Sequence, residues 1–108
     1  MRVFLGEFEQ LLLLALLHGT DEAYGVQIRQ QIEDRTGRTV SPGAIYTSLD
    51  RLERRGLVSS RLGEATPARG GKRKRYYRIQ PRGVRLLRDS QRALAAMTAG
   101  ISSKLETS

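Results

Sequence analysis

Lys72, Arg73, Lys74 and Arg75 stand in an unbroken row, separated from Arg69 only by Gly70 and Gly71. Guanidinium and ammonium groups on a flexible turn suit phosphate oxygens, either along a duplex backbone or inside a minor groove. A second set has a different chemistry. Ser41, Gly43, Ala44 and Thr47 are small or hydroxylated, and their spacing lets a backbone approach base edges closely. Tyr46 adds a hydroxyl donor for phosphate, and Arg51 and Arg54 follow further along. Catalytic chemistry has little to work with. There is one His (His18) and no Cys, and the acids do not cluster, so no metal site, cofactor or enzymatic activity is expected. Gly70-Gly71-Lys72 does not open a helix, so it is not a phosphate loop of the nucleotide-binding kind.

The charge distribution agrees with the cation row. The 108-residue chain carries a formal net charge of +8. Residues 1–35 hold six acids and three bases, whereas residues 54–88 hold twelve Lys or Arg and a single acid, Glu64. Such an asymmetry points to a polyanionic partner. The longest apolar run, Leu11 to Leu17, is too short to span a bilayer and is preceded by Glu7 and Glu9, so neither an anchor nor a leader is expected. With no cysteine to suggest an oxidising compartment, the expectation is a cytoplasmic protein.

The elements that must position these groups read as follows. Gly6 to His18 is a helix, apolar on every face through Leu11–Leu17 and so expected to be buried all round, with Gly19 as its stop. Thr20-Asp21-Glu22 has N-cap chemistry, and Ala23 to Arg35 reads as a second helix with Tyr24, Ile28 and Ile32 inward. Gly37 ends it. Ser41-Pro42 opens a third helix that runs to about Arg55, with Ile45, Leu49 and Leu52 on its core face. Leu57–Leu62 and Lys74–Ile79 read as strands, with Tyr77 and Ile79 on one face, and Gly63–Arg73 forms the basic tip between them.

Pro81 opens the last helix. Val84, Leu87, Gln91, Leu94, Thr98, Ile101 and Leu105 are spaced alternately three and four apart, which is a heptad seam. Ala93, Ala95, Ala96 and Ala99 would allow a partner helix to come close. Gln91 and Thr98 would fix the seam's register, Gly100 weakens the last turns, and Ser102–Ser108 should fray.

The fold class is therefore mainly α with a two-stranded β-wing: a winged helix-turn-helix plus a long C-terminal dimerisation helix. The expected division is a DNA-binding domain over 1–80 and a dimerisation helix over 81–108. The DNA-binding set is Gln27, Ser41, Gly43, Ala44, Tyr46, Thr47, Arg51, Lys72, Arg73, Lys74 and Arg75. The dimerisation set is Val84, Leu87, Gln91, Leu94, Thr98 and Ile101. An apolar effector site is expected between Phe4, Phe8, Leu12 and the Leu94–Met97–Ile101 stretch.

The ordered residues also resemble the PadR family of transcriptional regulators over nearly the whole chain. The resemblance rests on the Leu-rich segment Gly6–Gly19 and on Tyr24-Gly25. It continues through Ser41-Pro-Gly-Ala-Ile-Tyr46 and Leu49-Asp-Arg-Leu52 to Gly56-Leu57-Val58. Gly70-Gly71, the run Arg75-Tyr76-Tyr77-Arg78-Ile79 and Gly83 complete it. It implies a dimeric winged-helix repressor, often relieved by a small molecule, of the short-chain branch in which a single C-terminal helix builds the dimer. Two features depart from the family pattern. Gln80 stands where Thr is usual, and the last helix has no aromatic residue in a chain without Trp, which argues against an aromatic slot for a flat ligand. Two other functions fit the residues alone: a non-specific nucleic-acid-binding protein using only the basic tip, or a protein-interaction adaptor using only the heptad helix.

Overall fold

The computed structural model describes residues 4–19, 22–64 and 73–106. Their order is α1 (Glu7–His18), β1 (Ala23–Tyr24), α2 (Gly25–Thr36), α3 (Pro42–Arg54), β2 (Val58–Leu62), β3 (Arg75–Ile79), α4 (Pro81–Thr98) and α5 (Ser102–Glu106). Three antiparallel strands lie in the order β1-β3-β2. β3 is central, with Tyr77 facing Ala23 on one side and Ser60 on the other.

One core organises the head of the molecule. The inward stripes are those expected except for Tyr24, which is half-buried outside α2: Ile28 and Ile32 from α2, Ile45, Leu49 and Leu52 from α3, and Tyr77 from the sheet. They close over Leu12, Leu13 and Leu16 of α1, each almost fully removed from water. Burial of this kind stabilises by roughly 1.5–3 kcal/mol per large apolar side chain. α1 is not buried all round, however. Leu11 and Leu14 are only partly covered and Leu17 is 50% exposed, because nothing described packs on that side.

The segment before α2 departs from the sequence reading. Ala23 and Tyr24 are a short strand rather than a first helical turn, since they pair with Tyr77 and Tyr76. The helix starts at Gly25, and the Gln27 side chain accepts the Tyr24 N–H (3.1 Å) to close its N-terminus. The turn into α3 is tied twice. Gly37 adopts φ +72°, a left-handed conformation open to glycine, and its N–H donates to the Glu33 carbonyl. The Glu33 carboxylate accepts the Val40 N–H at 2.9 Å and Arg29 Nε at 3.3 Å. The Val40 bond, followed by Arg29, holds this carboxyl below its usual range, against the effect of partial burial.

α4 joins the head by its first half only. Leu87 is 4% exposed within the core, and Ser90 Oγ, buried, accepts the Leu5 N–H at 3.0 Å. Gln91 Nε2 donates to Gln10 Oε1 at 2.5 Å. Beyond residue 91 every side chain of α4 except Ala93 is exposed. Gly100 (φ +84°) turns the chain, and Ser102–Glu106 is helical rather than frayed. The packing boundary thus falls inside α4 and not at Pro81. No described helix is long and apolar enough to cross a membrane.

Candidate nucleic-acid interface

Ser41 begins the site. Its hydroxyl accepts the Ala44 N–H at 3.1 Å, and Pro42 occupies the first helical position, so α3 is stopped and aimed by its own first residues. With Ile45, Leu49 and Leu52 turned inward, the opposite face of α3 carries Gly43, Ala44, Tyr46, Thr47, Asp50, Arg51 and Arg54, all exposed. Small and hydroxyl groups come first and cations last. Arg54 pairs with Asp50 at 2.7 Å, whereas Arg51 has no acidic partner among the described residues.

Tyr46 lies at the edge of this face, 46% exposed. Its ring rests on Gly25 so closely that a Cβ there would stand 2.5 Å from the phenol oxygen. A Cβ at Gly25 would therefore force the Tyr46 ring to move, and with Gly25 in place the Tyr46 hydroxyl lies against the N-terminal end of α2. Gln27, on the same end of α2, is exposed but already spends its carbonyl oxygen on the Tyr24 N–H.

An open depression of about 470 Å³ separates α3 from the sheet, lined by Tyr46, Thr47, Asp50, Arg51, Arg54 and Tyr77. The wing carries the remaining cations. Lys72 lies outside the described residues. Arg73 and Arg75 are exposed and each is tethered within the wing: Arg73 Nε donates to the Gly63 carbonyl at 2.7 Å, and Arg75 donates to Ser60 Oγ at 3.0 Å. Lys74 differs, being half-buried with its ammonium 3.5 Å from the centre of the Tyr24 ring.

Tyr24 in turn meets Tyr76 edge to face at 5.7 Å, and the Arg61 guanidinium lies 4.9 Å over Tyr76. Arg61 Nε is 3.0 and 3.1 Å from the two Glu22 oxygens, and its terminal nitrogen also pairs with Glu22. This ladder, one residue deep on each strand, ties the three strands together near the tip end of the β2–β3 pair. Arg61 pulls the Glu22 carboxyl below its usual range, while partial burial opposes it. Sequence reasoning missed the ladder. Its signal was the aromatic pair Tyr24 and Tyr76, which becomes visible only once β1 is known to pair with β3.

The structure thus brings Ser41, Gly43, Ala44, Thr47 and Arg51 onto one exposed face, with Tyr46 and Gln27 at its border, and leaves Arg73 and Arg75 exposed on the wing. The seam residues do not stay together. Leu87 is core, Val84 is half-buried, and Gln91 bonds to Gln10 within its own chain. Thr98 Oγ1 donates to the Ala95 carbonyl at 3.1 Å. Leu94, Met97, Ile101 and Leu105 remain exposed, as does Phe4. Leu12 is fully enclosed in the head and Phe8 packs on that core, so Leu12 cannot line an effector site without opening the core.

Comparison with known proteins gives a consistent result. The profile of the transcriptional regulator PadR-like family matches residues 13–89. The transcriptional regulator Rv3488 of Mycobacterium tuberculosis is 38% identical over 80 residues, covering 73% of this chain and 70% of that protein. A PadR family transcriptional regulator from Eggerthella lenta superposes with a TM-score of 0.71 at 28% identity, over 94% of this chain and 88% of the other. A PadR family transcription regulator from Clostridium difficile shares the fold, with a TM-score of 0.76 at 23% identity, over 93% of this chain and 99% of its own.

Proposed function

Because this chain belongs to the PadR-like family of transcriptional regulators, and is a regulator rather than an enzyme, we propose that it works as a homodimeric repressor on a pseudo-palindromic operator. α3 enters the major groove by its Ser41 end, with Gly43, Ala44 and Thr47 at base edges and Arg51 on phosphate. Tyr46 and the α2 terminus beside Gln27 hold the flanking backbone, and Lys72, Arg73 and Arg75 hold the next phosphates along. Lys74 contributes charge and fixes the wing. The single observation behind this reading is the α3 face, small and polar at one end and cationic at the other, beside a braced basic wing.

The dimer reading is supported by the exposed apolar residues Leu94, Met97, Ile101 and Leu105 in the second half of α4 and in and around α5, which a partner copy would cover. A small molecule that relieves repression would act by favouring one separation of the two heads over another.

The test is fluorescence anisotropy with DNA from upstream of the protein's own gene, against a scrambled duplex, at low and physiological salt. The expected result is preferential binding that survives physiological salt, at two protomers per site, with half-sites ~10 bp or a multiple apart. Equal binding to both duplexes that collapses with salt would leave only phosphate contacts and overturn the operator reading.

A further inference from the structure

We propose that the groove between the end of α3 and the start of α4 binds a compact organic anion bearing two or more phosphate or carboxylate groups. Arg54 and Arg55 border it at the C-terminal end of α3, Arg82 and Arg85 from α4, and Leu57 and Leu86 supply its apolar floor. Its volume of about 670 Å³ falls within the ~300–1,000 Å³ typical of small-molecule sites.

Two of the four guanidiniums are pre-positioned. Arg55 donates to Glu9 at 2.9 Å, a carboxylate also held by the Gly6 N–H, and Arg54 is paired with Asp50 at 2.7 Å. A guanidinium has five N–H donors, so each keeps most of its fork for another oxyanion. Arg82 and Arg85 are exposed and have no acidic partner among the described residues. Among the described residues, the one carboxylate lining the groove is Asp89, half-buried, which suits a hydroxyl or amino group on the ligand body rather than a further anion.

The proposed operator does not fill this groove. Arg54 lies at the opposite end of α3 from Ser41, roughly 20 Å along the axis at 1.5 Å per residue. Leu57 and Arg82 flank the base of the β2–β3 pair, whereas Leu62 and Arg75 mark its tip end. A duplex held by the first turn of α3 and the wing tip therefore leaves Arg82 and Arg85 to another anion. As an effector site joining the DNA-facing helix to α4, the groove rests on the regulator reading above. As an anion site it does not.

The experiment titrates the full chain, without DNA, with pyrophosphate, ADP and citrate at physiological ionic strength. Calorimetry gives affinity, and amide chemical shifts give location. Saturable binding is expected, with shifts at Gly56, Leu57 and Leu86 and not at Thr47. The double variant Arg82→Gln/Arg85→Gln should lose about tenfold or more in anion affinity, equivalent to one charge-assisted contact, while operator binding is unchanged. ADP binding most tightly assigns a phosphate ligand, and citrate binding most tightly a carboxylate one. No binding by any probe overturns the proposal. So does loss in an Arg73→Gln/Arg75→Gln variant without loss in Arg82→Gln/Arg85→Gln, which would put the anion on the wing. Failure of operator binding with the anion site intact would sink only the regulator reading.

Discussion

The head and the tail of this chain are written with the same apolar alphabet and end in opposite conditions. In the head, α1, α2, α3, the sheet and the first half of α4 enclose one another, and Leu12, Leu13, Ile28, Leu49 and Leu52 are sealed off. In the tail, the second half of α4 and α5 carry Leu94, Met97, Ile101 and Leu105 on the surface. Met97 is 77% exposed, while Leu87, ten residues earlier on the same helix, is 4% exposed. A heptad pattern therefore says which side of a helix is apolar, and not whether its own chain or another covers it. The head is complete by itself, and the tail is complete only against a second copy under the dimer reading.

The largest effect should come from Leu87→Ala, which opens a cavity where α4 joins the head. Loss of about 2–5 kcal/mol is expected in chemical denaturation, with the midpoint moved and the melting temperature lowered. If instead the variant keeps the stability of the parent and only associates more weakly, Leu87 belongs to the tail and the proposed boundary inside α4 is wrong.

Leu94→Glu/Met97→Glu attacks the other side. Sedimentation should change from dimer to monomer, and operator affinity should fall by about tenfold or more as the second recognition helix is lost. Circular dichroism of the head should be retained, since neither side chain is part of its core. A sedimentation profile unchanged from the parent would mean that the bare face has no partner copy.

Much of the head was legible in the sequence, and particular residues show why. Ile28 and Ile32, and Ile45, Leu49 and Leu52, lie four or three apart, so helical period alone selects the inward face. Ser41-Pro42 and Gly37 are local signals whose geometry needs no tertiary contact. β1 was not legible, because two residues have no period and the Thr20-Asp21-Glu22 signature resembles a helix start. What makes Ala23 and Tyr24 a strand is β3, more than fifty residues away. Lys74 was read with the other wing cations for the same reason: its neighbour Tyr24 is remote in sequence. The heptad residues were read as one seam because periodicity carries no record of Ser90 meeting Leu5 or Gln91 meeting Gln10.

A smaller effect is expected at the entrance to α3. Ser41→Ala removes the bond to the Ala44 N–H and should cost the head about 1 kcal/mol, read as a shift in its denaturation midpoint. Dimerisation should be unaffected, as Ser41 lies on the head. A loss of operator affinity exceeding the loss of stability would give the hydroxyl a phosphate contact beyond its capping role.

The smallest effect separates head from tail by pH. Glu22 is held by Arg61, chiefly through their hydrogen bonds, and its folded pKa lies below the ordinary carboxylate value. A depressed carboxyl stabilises the folded state above its unfolded pKa, and that contribution drains away as pH falls through the folded value. In Glu22→Gln the contribution is absent throughout. The gap in stability between the parent and this variant should therefore be constant near neutrality and narrow on acidification below the usual carboxylate range. The pair is exposed, so the gap is small and should shrink further in high salt. Association measured over the same pH range should be the same for both proteins, because the Glu22–Arg61 ladder braces the wing and touches none of the bare residues of α4 and α5. A gap that widens in acid would mean that Arg61 does not stabilise the charged carboxylate, and that the aromatic pair Tyr24–Tyr76 holds the wing without it.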